Sequence, residues 1–310
     1  MPTPPRSLVI VTETLTDEAF EWLQEHCDVV RAKPDEPAFA EAAPAARGLI
    51  VRTYTIVNRA LLARLPKLEV VGRGGVGLDN IDLDDCASRN IRVVSTPDAN
   101  TQAVVEYVTC LLCDALRPRV PLLEPVSKGD WDRLRDEDLV APFQMDELTL
   151  GILGLGRIGR RVAEVAGAIG FNVIFHDLLG ISDDDRHGAE PVDLNTLFQE
   201  SDVISIHIDG RPSNQHFVNE RLISLMRADA VLINTSRGMV IDHEALGVWL
   251  RESPGAMVLL DVHDPEPITS DNPLLGLDNA HLFPHLASRT LTAMDNMSWV
   301  VRDVVAVLEG

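Results

Sequence analysis

Residues 148–177 read LTLGILGLGRIGRRVAEVAGAIGFNVIFHD, and this stretch decides the fold. An apolar run leads into the pattern Gly154-x-Gly156-x-x-Gly159, and a helical pattern then leads to a second apolar run that ends at Asp177. A glycine-rich turn alone is weak evidence, but here the strand, turn, helix, second strand and acid all fall in register. This order is typical of the first βαβ unit of a dinucleotide-binding domain.

Each position of this motif has a physical role in a dinucleotide site. The first glycine permits the tight turn, the second lets the backbone approach a pyrophosphate, and the third lets the helix pack close to the strand. The helix that follows begins with Arg157 and Ile158, and its free N–H groups would point at the phosphates. Asp177 can accept both ribose hydroxyls and repel a 2′-phosphate. The sequence therefore predicts NAD as the cofactor.

Composition narrows the class of protein. The chain has 310 residues, of which 45% are hydrophobic, enough for two domains with full cores. No apolar run approaches the ~20 residues of a membrane span, and the N-terminal MPTPPRSLVIVTE lacks the charged and apolar regions of a signal peptide. The net charge of −21 argues against nucleic acid, because phosphate backbones need a positive face. We expect no nucleic-acid partner and no membrane.

The four cysteines do not form a disulfide framework or a metal site. Cys110 and Cys113 make a C-x-x-C, but they fall in the helical pattern Val105–Leu116 and no second pair completes a metal site. We interpret them as buried helix positions and expect no metal. A reducing cytoplasm fits this cysteine usage.

Apolar runs alternate with helical patterns along the chain, which predicts an α/β fold with parallel sheets covered on both faces. The predicted strands are Leu8–Val11, Gly48–Val51, Glu69–Val71, Arg92–Val94, Asn172–His176, Val203–Ile208, Ala230–Asn234, Met257–Asp261 and His281–Phe283. The glycine motif comes late, so a separate α/β lobe must precede it. Long helical patterns at Thr101–Arg117 and Arg289–Leu308 suggest two crossings between lobes, with the last helix returning to the first lobe.

Three later strand ends carry side chains that could do chemistry, since ligands of open α/β sheets bind outside the carboxyl ends of strands. Arg237 could hold a carboxylate bidentately, the alternative being an ordinary surface arginine. Glu266 and His285 follow the next two strands. A carboxylate bonded to one ring nitrogen fixes the tautomer and leaves the other nitrogen to shuttle a proton. Hydride transfer to a 2-keto acid needs such an anchor, proton donor and orienting group.

Over nearly its whole length the chain resembles the D-isomer-specific 2-hydroxyacid dehydrogenases. The matching stretches are VVGRGGVGLDNID (70–82), the Asn100…Glu106 segment, LGILGLGRIGR (150–160), VLINTSRG (231–238), DVHDPEP (261–267) and PHLAS (284–288). The resemblance implies two doubly wound domains: a central NAD-binding Rossmann domain at 99–287 and a discontinuous, flavodoxin-like substrate-binding domain at 1–98 and 288–310. It also implies a homodimer.

The same resemblance implies roles for individual residues. Arg237, Glu266 and His285 would be catalytic. Beyond the glycine motif with Arg157, Ile158 and Asp177, the cofactor-binding residues would be His207, Thr235 and Asp261. The substrate-binding residues would be Arg52, Arg73, Gly74, Gly75, Val76 and Asn100, with the glycines forming a backbone nest for a carboxylate.

One departure concerns the loop after the strand Val203–Ile208. Many relatives carry His-x-Pro-Leu-Thr there, whereas this chain has His207-Ile208-Asp209-Gly210, which places a charge near the cofactor. A milder departure is Val104 in place of an alanine before Val105-Glu106.

The resemblance leaves the substrate open, because the family acts on lactate, glycerate, hydroxypyruvate, 3-phosphoglycerate and others. Arg52 and Arg73 end neighbouring strands and could bind a second anionic group, and VRTYTIVN is similar to 3-phosphoglycerate dehydrogenases. The alternative is that both arginines balance the acidic surface or bind a plain carboxylate. Two other functions stay open: a glyoxylate or hydroxypyruvate reductase, and a non-catalytic NAD-sensing corepressor.

Overall fold

A computed structural model describes residues 6–310 of the chain. The first five residues, on which part of the signal-peptide prediction rests, lie outside the described residues. The chain divides into two compact units, the first running to Thr101 and resuming at Ser288–Gly310, the second being Gln102–Ala287. The chain thus passes from the first unit to the second after Thr101, whereas the sequence predicts this boundary after residue 98. Both units are parallel α/β structures, so the predicted fold class is confirmed.

The first unit contains a five-stranded parallel sheet in the order β2-β1-β3-β4-β5, which is the flavodoxin-like order. Its strands are β1 Leu8–Val11, β2 Asp28–Arg31, β3 Gly48–Val51, β4 Val70–Arg73 and β5 Arg92–Ser95. Its helices are α1 Asp17–His26, α2 Pro37–Ala42, α3 Arg59–Leu62, α4 Leu83–Ser88, α11 Leu291–Ser298 and α12 Val300–Glu309. Helix α12 packs its valines against β3, β4 and β5, so the end of the chain completes the core of this unit.

The second unit contains a seven-stranded parallel sheet in the order β12-β11-β10-β9-β6-β7-β8. Its strands are β6 Thr149–Leu153, β7 Asn172–His176, β8 Glu190–Pro191, β9 Val203–Ile206, β10 Val231–Asn234, β11 Met257–Leu260 and β12 Ala280–Leu282. Its helices are α5 Thr101–Leu116, α6 Lys128–Arg133, α7 Arg157–Ile169, α8 Leu194–Glu200, α9 Glu220–Ile223 and α10 His243–Glu252, and a π-helical turn spans Leu134–Asp138. The strand order reverses between β6 and β9, and in open sheets ligands bind at the carboxyl ends beside such a switch point.

Local signals explain where many helices begin. Short polar side chains accept a hydrogen bond from a backbone N–H in the first turn, which satisfies a donor that the helix leaves unpaired. These N-caps are Asn58, Asp82, Ser127, Asp193, Asn219, Asp242 and Thr290. In the described part of the chain, no helix is both long and apolar enough to cross a membrane.

Four sequence predictions need correction. The final helical pattern is two helices, because the chain turns at Trp299 between α11 and α12. The short edge strands β2 and β8 were not predicted, since their residues are half-buried or exposed and carry no long apolar run. The strand predicted at Glu69–Val71 spans Val70–Arg73, so Arg73 is its last residue and pairs with Ser95. Cys110 is exposed and Cys113 half-buried, because the buried face of α5 runs elsewhere around the helix.

Candidate active site

The glycine turn joins β6 to α7 in the second unit. Gly154 has φ of 93°, and a Cβ there would lie 2.8 Å from the side chain of Ile208. A Cβ on Gly159 would lie 2.2 Å from the Gly154 carbonyl oxygen, so glycine brings the helix close to the strand. A Cβ on Gly156 would meet no atom within 4 Å. The protein's own packing therefore does not require glycine at 156, whereas the close approach of a pyrophosphate would.

The residues around this turn fit a bound dinucleotide. Asp177 follows β7, and its carboxylate accepts N–H groups from Leu155 at 2.7 Å and from Leu179 at 2.8 Å. Thr235 Oγ1 is buried and has no hydrogen-bond partner within residues 6–310, so a ligand could supply one. Arg157 is exposed and Ile158 half-buried on the first turn of α7. These groups could hold NAD.

His207 follows β9 beside the glycine turn. Its ring lies 2.8 Å from the Ser205 hydroxyl, measured from Nε2 to Oγ. Burial lowers the pKa of His207 to about 4, so the ring is neutral at neutral pH. A neutral ring suits a residue that lines a cofactor better than one that exchanges protons with the substrate.

The loop that carries Arg237 is fixed by a residue that the sequence analysis missed. Asn234, fully buried at the end of β10, donates from Nδ2 to the Arg237 carbonyl oxygen at 2.9 Å. Its Oδ1 accepts from the amide and hydroxyl of Ser236 at 2.9 and 2.7 Å. The guanidinium of Arg237 donates to the Ser236 carbonyl oxygen at 2.7 Å and is half-buried. The sequence signal for this role is a polar residue, asparagine, at the end of an otherwise apolar strand.

Gly238 brings the loop after β10 against the loop after β11. A Cβ on Gly238 would lie 2.0 Å from the carbonyl carbon of His263 and 2.2 Å from its oxygen. His263 in turn contacts the end of β12, since its Nε2 lies 2.7 Å from the Phe283 carbonyl oxygen. A backbone contact and a side-chain hydrogen bond of His263 therefore hold three successive strand-end loops together.

The structure brings Glu266 and His285 together. Glu266 Oε2 lies 2.8 Å from His285 Nδ1, and Glu266 Oε1 accepts the His263 N–H at 3.0 Å. Burial acts to raise the pKa of Glu266, but the hydrogen bonds from His285 and His263 and the nearby imidazoles outweigh it and bring the pKa below its ordinary value. Glu266 is therefore a carboxylate at neutral pH, and it contacts His285 at Nδ1 rather than at Nε2.

Asp261 anchors the segment that follows His285. Its buried carboxylate accepts the N–H groups of Leu286 at 2.7 Å and Ala287 at 2.8 Å. The hydroxyl of Tyr107, which the sequence analysis missed, also bonds Asp261, and burial together with this carboxylate raises the pKa of Tyr107 to about 12. His285 has φ of 56°, so an anchored backbone holds the histidine in an unfavourable conformation. Both carboxylate oxygens of Asp261 thus bind protein, besides any contact to the cofactor.

In the first unit, Glu13 fixes the loop that begins with Arg52. Its carboxylate accepts the backbone N–H groups of residues 52–55 at 3.0 to 3.2 Å. The Arg52 guanidinium donates to the Thr14 carbonyl oxygen at 3.2 Å. Burial, and then the charge of Arg289, lower the pKa of Arg52. The positive charges of Arg52 and Arg289 therefore repel each other, and neither Glu13 nor Arg289 was predicted from the sequence.

The side chain of Arg73 contacts the loop of Gly74 and Gly75 that follows it. The residue is 8% exposed, and its guanidinium donates to the Gly74 carbonyl oxygen at 3.1 Å. A Cβ on Gly75, whose φ is 143°, would fall 1.4 Å from Arg73 Nη1. Arg73 therefore adds positive charge beneath the loop of Gly74, Gly75 and the half-buried Val76. Asn100 Oδ1 is buried and has no hydrogen-bond partner among the described residues.

Residues 109–287 match the family model described as D-isomer specific 2-hydroxyacid dehydrogenase, NAD binding domain. The chain belongs to this family. The match confirms the predicted dehydrogenase family and the predicted NAD-binding domain. Among residues 6–310, no three His, Cys, Asp or Glu side chains are arranged to hold a metal ion.

Similar dehydrogenases differ in their named substrates. The chain is 35% identical to a glyoxylate reductase of Aeropyrum pernix, over 98% of this chain and 94% of the relative. It is 34% identical to a D-3-phosphoglycerate dehydrogenase of Methanocaldococcus jannaschii, over 97% of this chain but only 57% of that longer relative. Among solved structures, a D-lactate dehydrogenase from Aquifex aeolicus with NAD and lactic acid matches with a TM-score of 0.82, at 26% identity over 98% and 94% of the two chains.

Proposed function

We propose that this protein transfers a hydride between NAD and C2 of a D-2-hydroxy acid or its 2-keto acid. The hydrogen-bonded pair of Glu266 and His285 carries the proposal, because a carboxylate on Nδ1 prepares Nε2 to exchange a proton. When bound along the glycine turn and Asp177, NAD supplies the hydride chemistry. Thr235, His207, Arg157 and Ile158 contribute further contacts to the same cofactor.

The protein's side chains divide the remaining work. His285 donates a proton from Nε2 to the C2 oxygen during keto-acid reduction and accepts it during hydroxy-acid oxidation. Glu266 holds the tautomer and compensates the charge of the protonated ring. Arg237 grips the substrate carboxylate with its two-pronged guanidinium. In the first unit, the loop of Gly74, Gly75 and Val76 offers backbone N–H groups that suit a carboxylate.

A panel of 2-keto and 2-hydroxy acids, assayed with NADH or NAD, tests the reaction. His285→Ala should reduce turnover by about 10²–10⁴-fold, the usual range for a positioned proton donor. NADH affinity, measured by fluorescence titration, should be largely kept. NAD binding without turnover of any acid would favour the corepressor alternative, and near-normal turnover in the alanine variant would assign the proton donor elsewhere.

For the substrate we propose an acid with a second anionic group, such as 3-phosphoglycerate. The support is Arg52, whose half-buried guanidinium lies near the positive charge of Arg289. Arg52→Ala should lower kcat/KM on phosphohydroxypyruvate by about one to two powers of ten, the scale of a charge-assisted contact. Activity on the unphosphorylated hydroxypyruvate should hardly change.

The competing substrate class is the small keto acid of a glyoxylate or hydroxypyruvate reductase. The Aeropyrum pernix relative favours it. A better rate on glyoxylate or hydroxypyruvate than on the phosphorylated acid would decide for this class. Equal losses on both acids in the Arg52 variant would mean that Arg52 supports the fold or binds the common carboxylate.

We propose a second copy of the chain as the protein partner. Several large apolar side chains between α5 and β6 are at least half exposed, including Leu123, Trp131 and Phe143. Exposed apolar side chains that form a contiguous surface are typical of protein interfaces. Leu123→Glu should shift sedimentation toward the monomer, whereas the control Leu291→Glu, at an equally exposed position in the first unit, should not. The four free thiols fit a reducing compartment, and we propose the cytoplasm.

A further inference from the structure

The loop after β9 contains an ion pair that the family pattern does not predict. Arg211 donates from Nε to Asp209 Oδ1 at 2.6 Å and from Nη2 to Oδ2, so the pair is bidentate. Asn214, which is 6% exposed, donates from Nδ2 to the Asp209 carbonyl oxygen at 2.9 Å and to Oδ1 at 3.0 Å. The buried asparagine therefore fixes Asp209, and Asp209 fixes the guanidinium.

This loop lies beside the glycine turn within the second unit. The side chain of Ile208 comes within 2.8 Å of where a Cβ on Gly154 would lie. The next residue, Leu155, donates its N–H to Asp177 at 2.7 Å. Contacts thus run continuously from the loop after β9 to Asp177. The positive charge of Arg211 also interacts with the negative charge of Asp177.

We infer that Asp209 is a cofactor-specificity residue, because it holds Arg211 in an ion pair and thereby keeps the guanidinium from binding a 2′-phosphate beside Asp177. The guanidinium N–H groups with which Arg211 binds Asp209 are the groups that would bind two phosphate oxygens. An arginine close to the adenosine ribose is how dinucleotide sites accept a 2′-phosphate. The inference rests on the proposed position of the adenosine ribose at Asp177.

Two mechanisms would then select NAD over NADP. Asp177 repels a 2′-phosphate directly, whereas Asp209 removes a cation that would attract it. The hydrogen bonds from Arg211, which outweigh the effect of partial burial, keep the pKa of Asp209 below its ordinary value, so the pair persists at neutral pH. The pair is about half exposed, with both side chains at 56%, so the guanidinium has room to reorient once Asp209 is removed.

Fluorescence titration of the whole protein with NADH and NADPH gives the dissociation constants that test this inference, independently of turnover. Asp209→Ala should lower the NADPH dissociation constant by about tenfold, the lower end of what a charge-assisted contact contributes. NADH affinity should change much less. Asp209→Asn removes the charge but keeps an acceptor for Asn214, and it should shift the ratio of the two constants in the same direction.

A double variant that also removes Arg211 separates the inference from a general loosening of the loop. Arg211→Ala in the Asp209→Ala background should abolish the gain in NADPH affinity, and a gain that persists there overturns the inference. Asn214→Ala loosens the loop but keeps the ion pair, so the ratio should stay near that of the unmodified protein. An equal shift in the Asn214 variant would also overturn it.

Asp177→Ala distinguishes failure of this inference from failure of the proposed cofactor site. We expect this variant to bind NADPH more tightly, because a like charge is removed. If Asp177→Ala shifts the ratio and Asp209→Ala does not, the inference alone is wrong. An unchanged ratio in Asp177→Ala overturns the proposed ribose position and the inference with it.

Discussion

Replacing Gly238 by alanine perturbs the contact between the loops after β10 and β11, which carry Arg237 and Glu266. The added Cβ would lie 2.0 Å from the His263 carbonyl carbon, whereas ordinary contact begins at 3.4 Å. Because the obstructing atoms belong to backbone, no side-chain rotation can relieve the overlap. The loops after β10 and β11 must separate by about an ångström, and Arg237 moves away from the pair of Glu266 and His285.

A displacement of that size in a catalytic group costs about 10²-fold in rate, and overpacking of a tight contact typically costs about 1–3 kcal/mol of stability. We therefore expect kcat/KM on the best keto acid to fall by about two powers of ten, with a modest drop in Tm. Stopped-flow or steady-state reduction with NADH, paired with thermal unfolding, measures both.

The matched control is Gly167→Ala on α7, where a Cβ would meet no atom within 4 Å. This variant should keep full activity and gain about 0.5–1 kcal/mol, since alanine is the better helix residue. A Gly238→Ala protein with unmodified kcat/KM would show that the contact with His263 does not set the loop positions.

Three further predictions concern single side chains. Arg237→Lys should lose most of kcat/KM despite keeping the charge, because an ammonium cannot grip a carboxylate in two places; unmodified kcat/KM would move the carboxylate anchor elsewhere. Glu266 has a lowered pKa, so its charge stabilises the fold above pH 4.5, the ordinary pKa, and this contribution is lost as pH falls through the lowered pKa. The Tm difference between the unmodified protein and Glu266→Gln should therefore shrink below pH 4.5. A constant difference would contradict this prediction. The pKa of Tyr107 is raised from 10.0 to about 12, so stability held below pH 10 should be lost as pH rises toward 12, and Tyr107→Phe should lack this decline. The difference in tyrosinate absorbance between the two proteins reports the same titration.

Features set by neighbouring residues in the chain were predictable from the sequence. The bounds of β1, β3 and β7 are as predicted, because apolar patterning acts within a few residues. The resemblance also selected Glu266 and His285, which the structure places 2.8 Å apart.

Contacts between residues that are far apart in the sequence were not predictable. Arg73 continues its strand because it pairs with Ser95, and no local signal reports that pairing. The same holds for Tyr107 bonding Asp261 across the second unit, and for Glu13 binding the amides of residues 52–55. Each of these contacts joins residues that are far apart in the chain, and only the tertiary structure brings them together.

The return of α12 to the first unit sets an order for folding during synthesis. Residues 102–287 leave the ribosome as an uninterrupted block, so the second unit has its whole sequence available first. The first unit must wait, because the valines that cover β3, β4 and β5 belong to α12, which follows the second unit in the chain. Until then the part of the sheet that these valines cover stays exposed, and α1 alone packs on that face.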